Sequence, residues 1–130
     1  MRVLLDTHVF LWSISDDPRL GPTSRALIAD QAEQVLLSLA SLWEIAIKHG
    51  LGRGDMPLSA GQAHAWMEQS GFRLLPLAVR HLLVLEQLPH HHRDPFDRVL
   101  VAQALSEPLV LITADRALMA YGCSCLDARG

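Results

Sequence analysis

Short apolar runs recur along the chain, separated by stretches with helical apolar spacing, and this alternation limits the fold more than any other feature. RVLL (Arg2 to Leu5), QVLLS (Gln34 to Ser38), FRLLPL (Phe72 to Leu77) and PLVLIT (Pro108 to Thr113) read as strands, with CSCLD (Cys123 to Asp127) as a fifth. They look apolar on both faces, as strands buried on both sides do. Between them the spacing predicts helices from Thr7 to about Ile14 and from Pro22 to about Ala32. Further helices are expected within SLWEIAIKHG, SAGQAHAWMEQSG, AVRHLLVLEQL, PFDRVLVAQALSE and ADRALMAYG. Thr7 suits a cap, and Pro22 and Pro95 suit first helical positions. Gly50 and Gly71 suit C′ positions, and LGRGDMP reads as a glycine-rich loop. Strand-helix alternation of this kind implies an α/β fold: a mostly parallel sheet of four or five strands covered by helices on both sides. The 130 residues carry no internal repeat, low-complexity tract or linker, so one domain spanning 1–130 is expected.

Charged residues make up 19% of the chain, below the roughly 25% usual in soluble domains, so an apolar surface patch and a partner or oligomer are expected. A net charge of -3 argues against broad, nonspecific coating of nucleic acid. Ten of the eleven basic residues are arginine, a side chain suited to phosphate as well as to carboxylate. Cys123 and Cys125 form a CxC pair, not the CxxC of redox or zinc motifs; they read as small packing residues in a reduced compartment. No secretory leader is expected, because Asp6 and His8 interrupt the first apolar run, and no run is long enough to cross a membrane.

The acids are the candidate chemistry. Asp6 directly follows the first strand, and Asp115 follows the fourth. Glu44 sits in SLWE, a capping-box pattern, and its spacing to Lys48 suits a surface ion pair. Asp94 and Asp97 open the helix in HRDPFDRVLVAQA, Asp94 as N-cap and Asp97 at N3. Thr113 is an alternative N-cap for the following helix, with Asp115 behind it. Each acid alone is explained by capping. Together they fall where an open α/β sheet gathers functional groups, outside the carboxyl ends of its strands. If the first and fourth strands are neighbours, the acids converge. Converging carboxylates need raised pKa values or a cation. An oxygen-only set with no clustered cysteine or histidine favours a hard ion such as Mg²⁺ or Mn²⁺. That chemistry suits hydrolysis of a phosphodiester.

The blocks LLDTHVFLW, SLASLWEIAIKHG, LPHHHRDPFDRVLVAQA and LITADRALMAYG together resemble the motifs of PIN-domain ribonucleases, most closely the VapC toxins of bacterial toxin–antitoxin pairs. The resemblance spans nearly the whole chain. It implies an α/β/α sandwich and a Mg²⁺-dependent endoribonuclease, with Mn²⁺ able to substitute. It further implies Asp6, Glu44, Asp97 and Asp115 as metal-binding and catalytic acids, and RNA as substrate. Homodimers, a cognate antitoxin whose tail occupies the active-site groove, and a cytoplasmic setting are implied as well. Leu118 departs from the family pattern, where an aromatic is frequent, and His90 and His91 extend the stretch before His92.

Several other residues have two readings. Asp94 is a helix cap or a neighbour of the metal ligands. His92 and Arg93 face substrate or belong to a solvated loop. Arg98 and Arg116 contact phosphate or pair on helix surfaces. Thr7 lies near the metal or caps its helix, and His8 shuttles protons or simply meets solvent. Trp12, Trp43 and Trp66 stack on bases or pack in core and interface. Two competing functions remain: another metal-dependent phosphohydrolase, or a non-catalytic PIN-like binding module. An aspartyl-phosphate phosphatase would carry a second aspartate where His8 stands. A receiver domain would need a late lysine, and none follows Lys48.

Overall fold

The computed structural model describes residues 1–52 and 54–130; Arg53, within the expected LGRGDMP loop, lies outside the described residues. The five apolar runs form a single sheet. β1 (Arg2–Leu5), β2 (Gln34–Ser38), β3 (Arg73–Leu75), β4 (Val110–Thr113) and β5 (Cys125–Asp127) are all parallel, in the order β3-β2-β1-β4-β5. The sheet is thus fully parallel, and its two edge strands are shorter than the sequence runs that contain them. In the centre, Leu4 is in register with Leu36 on one side and Leu111 on the other.

Successive strand residues point to opposite faces, and Val3, Leu4 and Leu5 are all fully buried, so helices cover both faces. On one face Val3, Leu5, Leu37 and Ile112 pack with Phe10 of α1 (Thr7–Ser15), Ile45 of α3 (Leu39–Gly50) and Met67 of α4 (Ala60–Gln69). On the other, Leu4, Leu36 and Leu111 meet Leu100 and Val101 of α6 (Pro95–Ser106), over which α5 (Val79–Leu85) is laid. α7 (Arg116–Met119) adds Leu118 to this second layer. Leu118 is fully buried, which suits an aliphatic residue there. Truncating Leu4 or Phe10 to alanine is expected to cost about 2–5 kcal/mol.

Helix boundaries depart from the sequence reading where two polar residues compete to start an element. α3 starts at Ser38, whose hydroxyl accepts the Ala40 N–H, so Ser41 lies inside the helix and the SLWE capping box does not form. The left-handed residue after α3 is Gly52 (φ 69°), two positions beyond Gly50, whereas Gly71 (φ 77°) closes α4 as expected. α2 (Pro22–Ala26) continues into a π-helical turn, Leu27–Gln31, within the predicted helix. The chain leaves β1 toward β2 on one side and reaches β4 on the other. The switch point therefore lies at the carboxyl ends of β1 and β4.

Candidate metal centre

Asp6 is the first residue beyond β1, and its backbone N–H still bonds Ile112 O of β4. It caps α1, with Oδ1 accepting from Val9 N at 2.8 Å, while Oδ2 accepts the Thr113 hydroxyl at 2.5 Å. Asp6, not Thr7, is therefore the cap. Burial raises the Asp6 carboxyl above its usual range. The Thr113 and Val9 donors and His8 oppose that rise, and the charge of Glu44 adds to it.

Thr7, freed from capping, points across the site. Its hydroxyl donates to Glu44 Oε1 at 2.7 Å and lies 2.9 Å from Ser41 Oγ. Glu44 Oε2 accepts from Lys48 Nζ at 2.6 Å. This i, i+4 pair is not a surface ion pair: the Glu44 side chain is 3% exposed and that of Lys48 23%. Desolvation works against the Lys48 charge, but the hydrogen bond and attraction of Glu44 outweigh it and raise its pKa.

Asp94 caps α6, accepting from Phe96 N at 2.9 Å and Asp97 N at 3.3 Å. The first turn of α6 then holds Asp97 over the carboxyl edge of the sheet. Burial pushes Asp97 up to about 7, with the charges of Asp94, Asp6 and Glu44 adding and that of His92 opposing. These acids come from different elements, yet they lie close enough to disfavour one another's ionised forms.

Asp115 caps α7 itself, accepting from Ala117 N at 2.9 Å. Thr113 is not that cap. Its oxygen accepts the Asp115 N–H at 3.0 Å while its proton goes to Asp6. His92 completes the constellation: its Nε2 lies 2.8 Å from Asp115 Oδ2 and 3.6 Å from Asp97 Oδ2. Because His92 Nδ1 accepts the Asp94 N–H at 3.0 Å, Nε2 is the nitrogen that donates to Asp115. The backbone N–H of His92 bonds the hydroxyl of Tyr121 at 2.9 Å, which anchors the loop. One ligand atom from each of His92, Asp97 and Asp115 lies within 4.8 Å of the others. This group differs from the expected oxygen-only set, since it includes one imidazole and not Asp6 or Glu44, but its two carboxylates, with Asp97 pushed up, have the chemistry of a hard-cation site.

The remaining sequence candidates divide. Arg116 is exposed and lines the depression that also holds Asp6, His8, Trp12, Asp115 and Arg129. Arg98 turns away: its Nη2 donates to Leu88 O at 3.1 Å, and it lines an apolar groove with Leu77, Leu82 and Leu85. It does not line that depression, and among the described residues it pairs with no acid. Arg93 and His8 are exposed. Trp12 is buried, with Arg19 and Arg129 over its ring, while Trp43 and Trp66 are exposed and do not belong to the core. Sequence reasoning missed Thr113 and Tyr121 as parts of the site. The place of Thr113 between an apolar strand and an aspartate was the available signal; Tyr121 had none.

A PIN-domain family model matches residues 3–122. Among solved structures, DNA-bound VapBC from Salmonella typhimurium is similar at a TM-score of 0.71 and 19% identity, with 98% of each chain covered. VapBC2 from Rickettsia felis, bound to a promoter DNA fragment, gives 0.68 and 14% over 97% of this chain and 98% of that one. FitAcB from Neisseria gonorrhoeae gives 0.65 and 22%, with 98% of each covered. A comparison with curated protein sequences finds no match.

Proposed function

The chain belongs to the PIN-domain family, and from that premise we propose that it is a divalent-cation-dependent endoribonuclease acting as the toxin of a toxin–antitoxin pair. The observation that carries this reading is the Asp97 carboxyl. It is raised to about 7 by burial and by three other acids, and stands within 4.8 Å of ligand atoms on Asp115 and His92. Asp6, Asp97 and Asp115 are the residues that would hold Mg²⁺ or Mn²⁺. When bound, the ion supplies charge neutralisation at a phosphate and lowers the pKa of a water for attack on phosphorus.

The chain's own residues prepare that chemistry. Thr113 fixes the Asp6 carboxylate against β4. Glu44, with both oxygens already engaged by Thr7 and Lys48, acts through its negative charge and through Thr7. His92 holds Asp115 by a hydrogen bond and takes its ring orientation from the Asp94 N–H. Arg116, at the mouth of the depression, is placed to meet a phosphate of the RNA, and Arg93 is the second exposed candidate.

An apolar surface supports a protein partner. On α3, Leu39, Trp43 and Ile47 lie four apart and exposed, a single stripe continued by Leu51. Exposed Val79, Leu82 and Leu83 extend the apolar surface on α5. The similar structures are of VapBC and FitAcB, so an antitoxin and a second copy of this chain are the proposed occupants. Among the described residues no helix is long and apolar enough to cross a membrane; a cytoplasmic setting belongs to the proposed toxin reading.

The test is RNA cleavage with Mg²⁺, with Mn²⁺ and with EDTA, by wild type, Asp6→Asn and Asp97→Asn. Cleavage should require the ion and disappear in both variants while their circular dichroism stays native. Cleavage by both variants at the wild-type rate overturns the assignment.

A further inference from the structure

Away from the acidic edge, toward the amino end of β5, lie two thiols. Cys125 begins β5, and Cys123 precedes it across Ser124. Cys123 lies in the bend that leads into the strand, and there the two sulfurs stand 3.3 Å apart. Both are free and half-buried, packed against the layer formed by Leu111 and Leu118. Cys123 Sγ also reaches Leu118 O at 3.9 Å. Packing does not require sulfur at both positions, nor does it require that the sulfurs touch.

The contact makes the thiols unequal. The S–H of Cys125 stabilises a thiolate on Cys123 and holds its pKa down at about 7, against the effect of burial. The same contact, with burial, raises the Cys125 thiol above its ordinary value. A thiolate with a pKa near neutrality is close to the optimum for attack on a disulfide, and the protonated neighbour is placed to resolve the product.

We propose that Cys123 and Cys125 form a reversible dithiol–disulfide site, oxidised by small disulfides of the glutathione type. The Cys123 thiolate attacks one sulfur of the glutathione disulfide. A mixed disulfide forms, and the first glutathione leaves as thiolate. Cys125 then gives up its proton and attacks Cys123 Sγ, closing the internal disulfide and expelling the second glutathione. Two protein thiols are oxidised, one glutathione disulfide is reduced, and the two protons end on the two glutathione thiolates. A ring closed over a single intervening residue is strained, so the bond reverts readily once reductant returns. Closure is felt at two places. Ser124 O accepts the ladder bond from Leu111 N at 2.8 Å, and Tyr121, two residues before Cys123, anchors His92.

The experiment is treatment of the full-length chain with oxidised glutathione at neutral pH, followed by acid quenching and intact mass analysis. The wild type should lose two hydrogens, carry no adduct and stay monomeric on a non-reducing gel. Cys125→Ser, which keeps a hydroxyl donor beside Cys123, should trap one glutathione on Cys123. Cys123→Ser, which leaves a hydroxyl donor beside Cys125, should trap one glutathione on Cys125 and likewise be unable to close the ring. Circular dichroism confirms that each variant is folded. Stable adducts on both wild-type cysteines, an intermolecular disulfide, or no loss of two hydrogens in the wild type would each overturn the proposal. None of these readouts depends on nuclease activity.

Discussion

The hydroxyl of Thr113 donates to Asp6 Oδ2 at 2.5 Å, joining the carboxyl ends of β4 and β1 across 107 residues of sequence. The same oxygen accepts the Asp115 N–H. Thr113→Val keeps the shape and removes both bonds, leaving a buried acceptor and a backbone donor without this partner. A loss of about 1–3 kcal/mol is expected, together with a fall in RNA cleavage as Asp6 loses its orientation. Thr113→Ser keeps both bonds and should retain cleavage. Urea unfolding and a cleavage assay on the two variants check this; equal losses in Val and Ser would assign Thr113 to packing alone.

Glu44 and Lys48 are a coupled pair whose acid is almost fully enclosed. Lys48→Met strands the Glu44 charge against Thr7 and should destabilise more than Glu44→Gln combined with Lys48→Met. Because Lys48 is partly exposed, the coupling is expected at about 1–2 kcal/mol, below that of a fully buried pair. A double-mutant cycle in denaturant measures it, and a coupling near zero would place the pair with ordinary surface ion pairs.

Crowded carboxylates should show themselves through metal-linked stability. At a Mn²⁺ concentration about a hundredfold above the dissociation constant, a ligand bound only by the native state adds about 2.7 kcal/mol. For a domain of this size the melting temperature should rise by several degrees, and EDTA should reverse it. Asp97→Asn should abolish most of that rise, because it removes the acid whose charge the others oppose. An undiminished rise in the variant would place the cation elsewhere.

How far the sequence carried depended on whether a feature was local or shared. Strand cores such as RVLL and VLIT were legible because double-sided burial leaves continuous apolar runs. The Asp94 cap was legible because the proline after it leaves little choice of helix start. The start of α3 was not, since Ser38 and Ser41 are both good caps and only the end of β2 decides between them. The burial of Glu44 was hidden for a related reason. Its i, i+4 lysine looked like a surface pair, and only the packing of α1 against α3 brings Thr7 onto its carboxylate. Arg98 followed a motif acid by one position, and that one step turns a helical side chain by about 100°, here into the apolar groove.

Away from the acidic edge, Glu107 ties the end of α6 to α5. Its Oε2 accepts from Arg80 Nε at 2.7 Å and from His81 Nε2 at 3.0 Å, with His81 Nδ1 taken by the Ala78 N–H. The His81 hydrogen bond, then that of Arg80, hold the Glu107 carboxyl below its ordinary value of 4.5. For an acid whose pKa is lower folded than unfolded, the stabilisation is complete above the unfolded value and fades as pH falls toward the folded one. The stability gap between wild type and Glu107→Gln should therefore be flat near neutrality and shrink below about pH 4.5. Urea midpoints collected across that range check the sign. A gap unchanged down to about pH 3 would mean that the substitution acts through shape and hydrogen bonding, and that the charge of Glu107 contributes nothing to holding α5 on α6.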